Sequence, residues 1–189
     1  MGSNAVIFSG SFNPVHAGHL VIANYVAEFT DADEFWFVVS PHNPLKSKNE
    51  LADFHHRLNM VKIACEGLDL PIVVSDIENT LPRPSYTINT INALSEKYPD
   101  KKWSLLIGED NLLNFHHWKD SRKIIERHRL LVYPRLGFDN SEPYTQHNAL
   151  KLDAPVIEIS STFIRNNISE GHNLRALLPN KVFEYIKEH

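Results

Sequence analysis

Val6-Ile7-Phe8-Ser9-Gly10-Ser11-Phe12-Asn13-Pro14-Val15-His16-Ala17-Gly18-His19 is the stretch whose reading decides the fold. Four apolar-rich residues, 6–9, form a predicted buried strand, and Gly10 then lets the backbone turn sharply and come close to a ligand. Asn13-Pro14 is turn chemistry, and the helical pattern that follows starts at Gly18. A strand entering a helix through a glycine is the first half of a βαβ unit, and a helix start offers free N–H groups and a positive dipole to phosphate. His16 and His19 stand three apart, so both imidazoles can lie on one face and meet the same anion. A lone histidine here would read as a cap or a packed residue; the pair flanked by Gly10 and Gly18 favours the anion site. His-x-x-His spacing also suits zinc, but no cysteine or acidic ligand accompanies it.

Outward from that stretch, β-rich runs alternate with amphipathic ones. Strands are predicted over 6–9, 34–40, 71–76, 103–108, 129–133 and 156–159, and helices over 18–29, 52–67, 86–97, 120–127, 161–167 and 179–187, with Pro179 in the first turn of the last. Residues 135–153, with Gly137, Pro143 and little periodicity, read as a long surface connection. Right-handed crossovers then give an α/β class: one doubly wound, mostly parallel sheet with helices on both faces. The 189 residues suit a single domain, 1–189, at roughly 100–200 residues per domain. Ligands of such sheets bind beyond the carboxyl ends of the strands. The polar clusters 10–19, 41–46, 108–110 and 160–165 follow predicted strands, and 85–87 opens a predicted helix, so five clusters are expected at one edge of the sheet.

Composition narrows the function. Apolar residues make up 42% and charged ones 22%, with no apolar run near the ~20 residues of a membrane span. The N-terminus lacks the basic and small-residue marks of an export signal, and the lone Cys65, set among apolar residues, fits a buried thiol in a reducing compartment; a cytoplasmic protein is expected. Net charge is −4 with scattered lysines and arginines, which excludes the basic face of a nucleic-acid binder but allows a local anion site.

Near the C-terminus, Ser160-Ser161-Thr162 provide hydroxyls at a predicted helix start, with Arg165 one turn later, a natural socket for phosphate. Either feature alone would read as an N-cap and a solvated arginine. Together with Gly10–His19, the run Ile159-Ser160-Ser161-Thr162-Phe163-Ile164-Arg165 resembles the paired motifs of the His-x-Gly-His nucleotidyltransferase superfamily. Ser85-Tyr86-Thr87, Gly108-Glu109-Asp110 and Trp118 are similar in order and spacing to bacterial nicotinate-nucleotide adenylyltransferases, and the likeness runs from Val6 to about Ile186. It implies a Rossmann-like nucleotidyltransferase fold and transfer of AMP from ATP to nicotinate mononucleotide, with magnesium delivered on ATP. The residues themselves fit nicotinate and nicotinamide mononucleotides alike.

The resemblance also implies roles. His16, His19 and Arg165 would be catalytic; Gly10, Ser11, Phe12, Gly108, Asp110, Ser161 and Thr162 would hold ATP; Lys46, Ser85, Tyr86, Thr87 and Trp118 would hold the mononucleotide. An indole stacks on a flat pyridine ring, and a carboxylate is satisfied by hydroxyls and N–H groups at a helix start. The chain departs from the family pattern at Ser11, Asn13 and Asn89, and a Pro-Pro-His-Lys element is represented by Pro41-His42-Asn43-Pro44-Leu45-Lys46. Three other readings remain open from sequence: another nucleotidyltransferase of the superfamily, a nucleotide sensor without chemistry, and a histidine-rich metal binder. The pairs His55-His56 and His116-His117 point about 100° apart on a helix and chelate poorly.

Overall fold

The computed structural model describes residues 2–41, 51–138, 144, 147 and 149–189. Lys46, with most of the 41–46 element, lies outside them. Six strands form one sheet: β1 (Asn4–Gly10), β2 (Glu34–Val39), β3 (Ile72–Ser75), β4 (Lys102–Gly108), β5 (Arg129–Tyr133) and β6 (Ala149–Lys151). Their order is β3-β2-β1-β4-β5-β6 and every pairing is parallel. The sequence therefore winds outward from β1 in both directions, and the switch point lies between β1 and β4, where such folds open a ligand crevice.

The α-helices that accompany the sheet include α1 (Ala17–Phe29), α2 (Phe54–Cys65), α3 (Thr87–Lys97), α4 (Glu109–Leu113), α5 (Ser121–Arg127), α6 (Ser161–Ser169) and α7 (Asn180–Glu188). Alternation along β1 sends Val6 and Phe8 to one face and Ala5 and Ile7 to the other. The first face is covered by Ala23 and Val26 of α1, Leu58 and Val61 of α2, Ile164 of α6 and Val182 of α7. Ile88, Ile91 and Leu94 of α3, Leu112 of α4 and Ile124 of α5 cover the second. Both faces being buried explains why β2 reads as a continuous apolar run, with Phe35, Phe37, Val38 and Val39 all fully buried.

Two expectations are corrected. The sixth strand is Ala149–Lys151, inside the stretch read as a surface connection, and not 156–159. The apolar residues of 156–159 have another purpose. Ile157 lies against Gly18 and Ile159 packs on the first core face, while Val156 is exposed, so the segment is extended without joining a ladder. Pro179 caps α7 rather than opening its first turn. Cys65 is partly buried on the first core face, and burial pushes its thiol up to about 11, which keeps it protonated and unreactive. Among the described residues no helix is long and apolar enough to cross a membrane.

Candidate active site

A cavity of about 510 Å³ opens at the carboxyl ends of β1 and β4, within the size range of small-molecule sites. Gly10, Ser11 and Phe12 line it from the β1 turn, His19 from the first turn of α1, Gly108 and Asp110 from the end of β4, Ser85, Tyr86 and Thr87 from the start of α3, Trp118 from the turn before α5, and Ser161 from α6. Four of the five predicted clusters thus meet there; of the fifth, 41–46, only Pro41 is among the described residues, and the strand residue before it, Ser40, lines the cavity. His16, Thr162 and Arg165 stand outside the lining.

Those three are nevertheless tied to it. Arg165 donates from Nη1 to the Asn13 carbonyl at 2.8 Å and from Nη2 to Thr162 Oγ1 at 3.4 Å, and Ser161 donates to the Pro14 carbonyl at 2.9 Å. The two ends of the chain, more than 140 residues apart, therefore share one wall. Ser160 caps α6 by accepting from the Phe163 N–H, leaving its hydroxyl committed to the helix.

His16 and His19 stack at 3.7 Å between ring centres, and the His16 N–H donates to His19 Nδ1 at 3.2 Å. Since Nδ1 accepts, a neutral His19 ring carries its proton on Nε2. His16 is 5% exposed and its Nδ1 has no hydrogen-bond partner. Burial, assisted by the Arg135 charge, lowers its pKa to about 4, so the ring is neutral at physiological pH and meets an anion through its N–H dipole, not as a cation. Gly18 packs closely beside it: a Cβ there would lie 3.1 Å from His16 Nδ1, and the imidazole would have to shift to admit it.

This burial carries a pH signature. Unfolded His16 takes up a proton near its ordinary value of 6.5, well before the folded group does at about 4. Its contribution is therefore complete above 6.5 and is lost as pH falls from 6.5 towards 4, on the order of 3 kcal/mol if the full shift is expressed. Urea unfolding of the wild type and His16→Gln across this window is expected to show a steeper acid loss for the wild type; parallel curves would refute it.

At the β4–β5 end, Arg135 was missed by sequence reasoning. Its guanidinium lies 4.8 Å over the Tyr133 ring, donates to the Tyr133 hydroxyl at 2.8 Å and faces Asp110 Oδ1 at 3.7 Å. The Arg135 N–H is anchored on the buried Glu109 at 2.7 Å. Burial opposes the Glu109 charge, but Lys151, Tyr144 and this N–H outweigh it and hold the carboxyl below its ordinary pKa. Gly108 is dictated by the same cluster, since a Cβ would fall 2.3 Å from Asp110 Oδ1 and 3.0 Å from the Tyr133 ring.

At the opposite end Trp118 packs on Phe115 at 5.2 Å, and Lys119 places its ammonium 4.7 Å over the Tyr86 ring. Ser85 Oγ is buried without a partner. Lys119 and His117 also line the cavity and were not assigned to the nucleotide site, although both adjoin Trp118 in sequence. Among the described residues no group of three or more His, Cys, Asp or Glu side chains is placed to hold a metal ion.

Comparison with known proteins agrees with this architecture. The profile of the cytidylyltransferase-like family matches residues 7–167. The "Probable nicotinate-nucleotide adenylyltransferase" of Christiangramia forsetii is 50% identical over 190 residues, covering 100% of this chain and 97% of that protein. A protein of the same description from Flavobacterium johnsoniae is 50% identical over 182 residues, covering 95% and 94%. In fold, the chain is similar to the nicotinic acid mononucleotide adenylyltransferase of Plasmodium falciparum complexed with NaAD, with a TM-score of 0.81, 19% identity, and coverage of 98% and 95%. A family profile spanning most of the chain and half-identical relatives along its whole length lead to one conclusion: the chain belongs to the nicotinate-nucleotide adenylyltransferases of the cytidylyltransferase-like superfamily.

Proposed function

We propose that the protein transfers AMP from ATP to nicotinate mononucleotide. The mononucleotide phosphate attacks the α-phosphorus in line, the bond to the β-phosphate breaks, and the dinucleotide and pyrophosphate leave with no covalent enzyme intermediate. The observation that carries this reading is the cavity at the β1–β4 switch point, with the anion-binding turns of both chain ends on one wall and an aromatic, hydroxyl-rich end on another. Such a reaction needs two polyanions held together and the developing charge neutralised, so positioning and electrostatics do the catalysis.

Roles follow from place. Neutral His16 and the Nε2 N–H of His19 act on the α- and β-phosphates, with the Gly10-Ser11-Phe12 turn beneath them. Arg165, Ser161 and Thr162 act on the departing pyrophosphate. Gly108 and Asp110, with Arg135, hold the adenosine, and Ser85, Tyr86, Thr87 and Trp118 the pyridine ring. Lys46 is assigned to the attacking phosphate on sequence alone. Magnesium enters as part of MgATP. The lining supplies imidazole, hydroxyls and guanidinium, and Asp110 faces Arg135, a donor set that suits phosphate and leaves the ion to substrate oxygens and water. The cytoplasm, where the protonated Cys65 thiol is at home, is the compartment we assign.

The pyridine end favours nicotinate. It offers the partnerless Ser85 hydroxyl, the first N–H groups of α3 and the Lys119 ammonium. Among the described lining residues Asp110 is the only acidic side chain, and it faces Arg135 instead. Pyrophosphate release with ATP is expected to be at least about tenfold more efficient on nicotinate than on nicotinamide mononucleotide, the worth of roughly one charge-assisted hydrogen bond. Equal efficiencies would overturn the preference, CTP replacing ATP would indicate another nucleotidyltransferase, and ATP binding without pyrophosphate would indicate a sensor.

A further inference from the structure

Arg57, in the first turn of α2, is the largest fully buried side chain among the described residues, at 1% exposure. Every hydrogen bond it donates goes to a main-chain carbonyl. Nε reaches Ala52 at 2.9 Å, Nη1 reaches Ser11 and Ser40 at 2.7 Å each, and Nη2 reaches Pro41 at 3.2 Å. No carboxylate forms an ion pair with it among the described residues. A buried charge is ordinarily paired, because removing it from water is costly. Here a guanidinium instead gathers the β1 turn, the end of β2 and the entry to α2.

The Ser11 carbonyl connects this to the cavity. The Ser11–Phe12 peptide is trans, so its C=O and N–H point opposite ways; with the carbonyl drawn onto Arg57, the Phe12 N–H faces away from it. Phe12 has φ of 45°, a left-handed conformation that costs a bulky residue about 1–3 kcal/mol and persists only where the surroundings enforce it. The Phe12 ring is fixed against Phe37 at 5.3 Å and His19 at 5.1 Å, and the preceding carbonyl is fixed by Arg57. Ser11 itself is 4% exposed, lines the cavity, and holds a buried Oγ without a hydrogen-bond partner. Nothing else in the described surroundings uses that hydroxyl.

We propose that Arg57 is a positioning residue for the triphosphate. It holds the left-handed Ser11–Phe12 turn so that the Ser11 hydroxyl and the Phe12 N–H are presented to phosphate, and it leaves a buried positive charge beneath them. The inference rests on the reading of this cavity as the ATP site.

Arg57→Met keeps length without charge or donors, and Arg57→Lys keeps charge without the fork. For Arg57→Met, KM for ATP is expected to rise about tenfold or more while KM for nicotinate mononucleotide moves less than about twofold; Arg57→Lys is expected to recover part of the loss. Inorganic tripolyphosphate binding, measured by calorimetry, should weaken in parallel. A role confined to folding would lower the melting temperature and raise both KM values together, and that result, or an unchanged KM for ATP, overturns the proposal. Should Arg57→Met fail to fold, Arg57→Lys decides by the same comparison of the two KM values. Failure of the wild type itself to bind ATP and tripolyphosphate would instead refute the reading of the site.

Discussion

Replacing His19 by alanine is expected to lower kcat by two or more orders of magnitude, the scale on which loss of one preorganised donor to a developing oxyanion is felt. His19 Nδ1 accepts the His16 N–H at 3.2 Å, which places the neutral ring's proton on Nε2 and fixes the ring at the start of α1. His16 stacks against it at 3.7 Å and is neutral, so the pair does not present two adjacent cations. Alanine removes both the phosphate donor and the acceptor that caps the helix. His19→Asn separates the two effects, because the amide oxygen can still accept from the His16 N–H but the side chain is too short to replace Nε2. The asparagine variant should melt close to the wild type and turn over as poorly as the alanine variant. Near-normal turnover in either would sink the role assigned to His19.

How much of this was legible beforehand depended on where the physical signal lay. The central strands are buried on both faces, so their residues are continuously apolar, and β2 with β4 could be read directly from sequence. Strand β6 could not. It has three residues, of which Leu150 and Lys151 are exposed and only Ala149 is half-buried, and it follows a stretch of turn-forming residues, whereas 156–159 has strand-like composition because Ile157 and Ile159 bury against α1 and the first core face. In the site, the Gly10–His19 and Ser160–Arg165 segments carry their chemistry locally and were found. Arg135 was not, since its orientation depends on Glu109, Tyr133 and Asp110, and the carboxylate that anchors it is 26 residues away. Arg57 is hidden more thoroughly. In His55-His56-Arg57-Leu58-Asn59 it looks like a solvated helix position, and the four carbonyls that bury it leave no mark on side-chain pattern.

Arg165→Ala is expected to reduce kcat by on the order of a hundredfold, with a smaller change in KM for nicotinate mononucleotide. The guanidinium bonds only the Asn13 carbonyl and the Thr162 hydroxyl, and no carboxylate pairs with it among the described residues, so its charge remains available to an incoming anion. If that charge serves the departing pyrophosphate, the loss must appear in both directions of the reaction. KM for pyrophosphate in the reverse assay should then rise at least as much as KM for ATP in the forward one. Arg165→Lys keeps the cation but cannot hold Asn13 and phosphate through one planar fork, and should fall between the wild type and the alanine variant. A purely structural function, pinning α6 to the β1 turn, would be shared with Ser161, whose hydroxyl donates to the Pro14 carbonyl from the same helix. Ser161→Ala therefore supplies the control. If it matches Arg165→Ala in kcat and in KM for pyrophosphate, docking of the helix explains both and the guanidinium has no direct part in the chemistry.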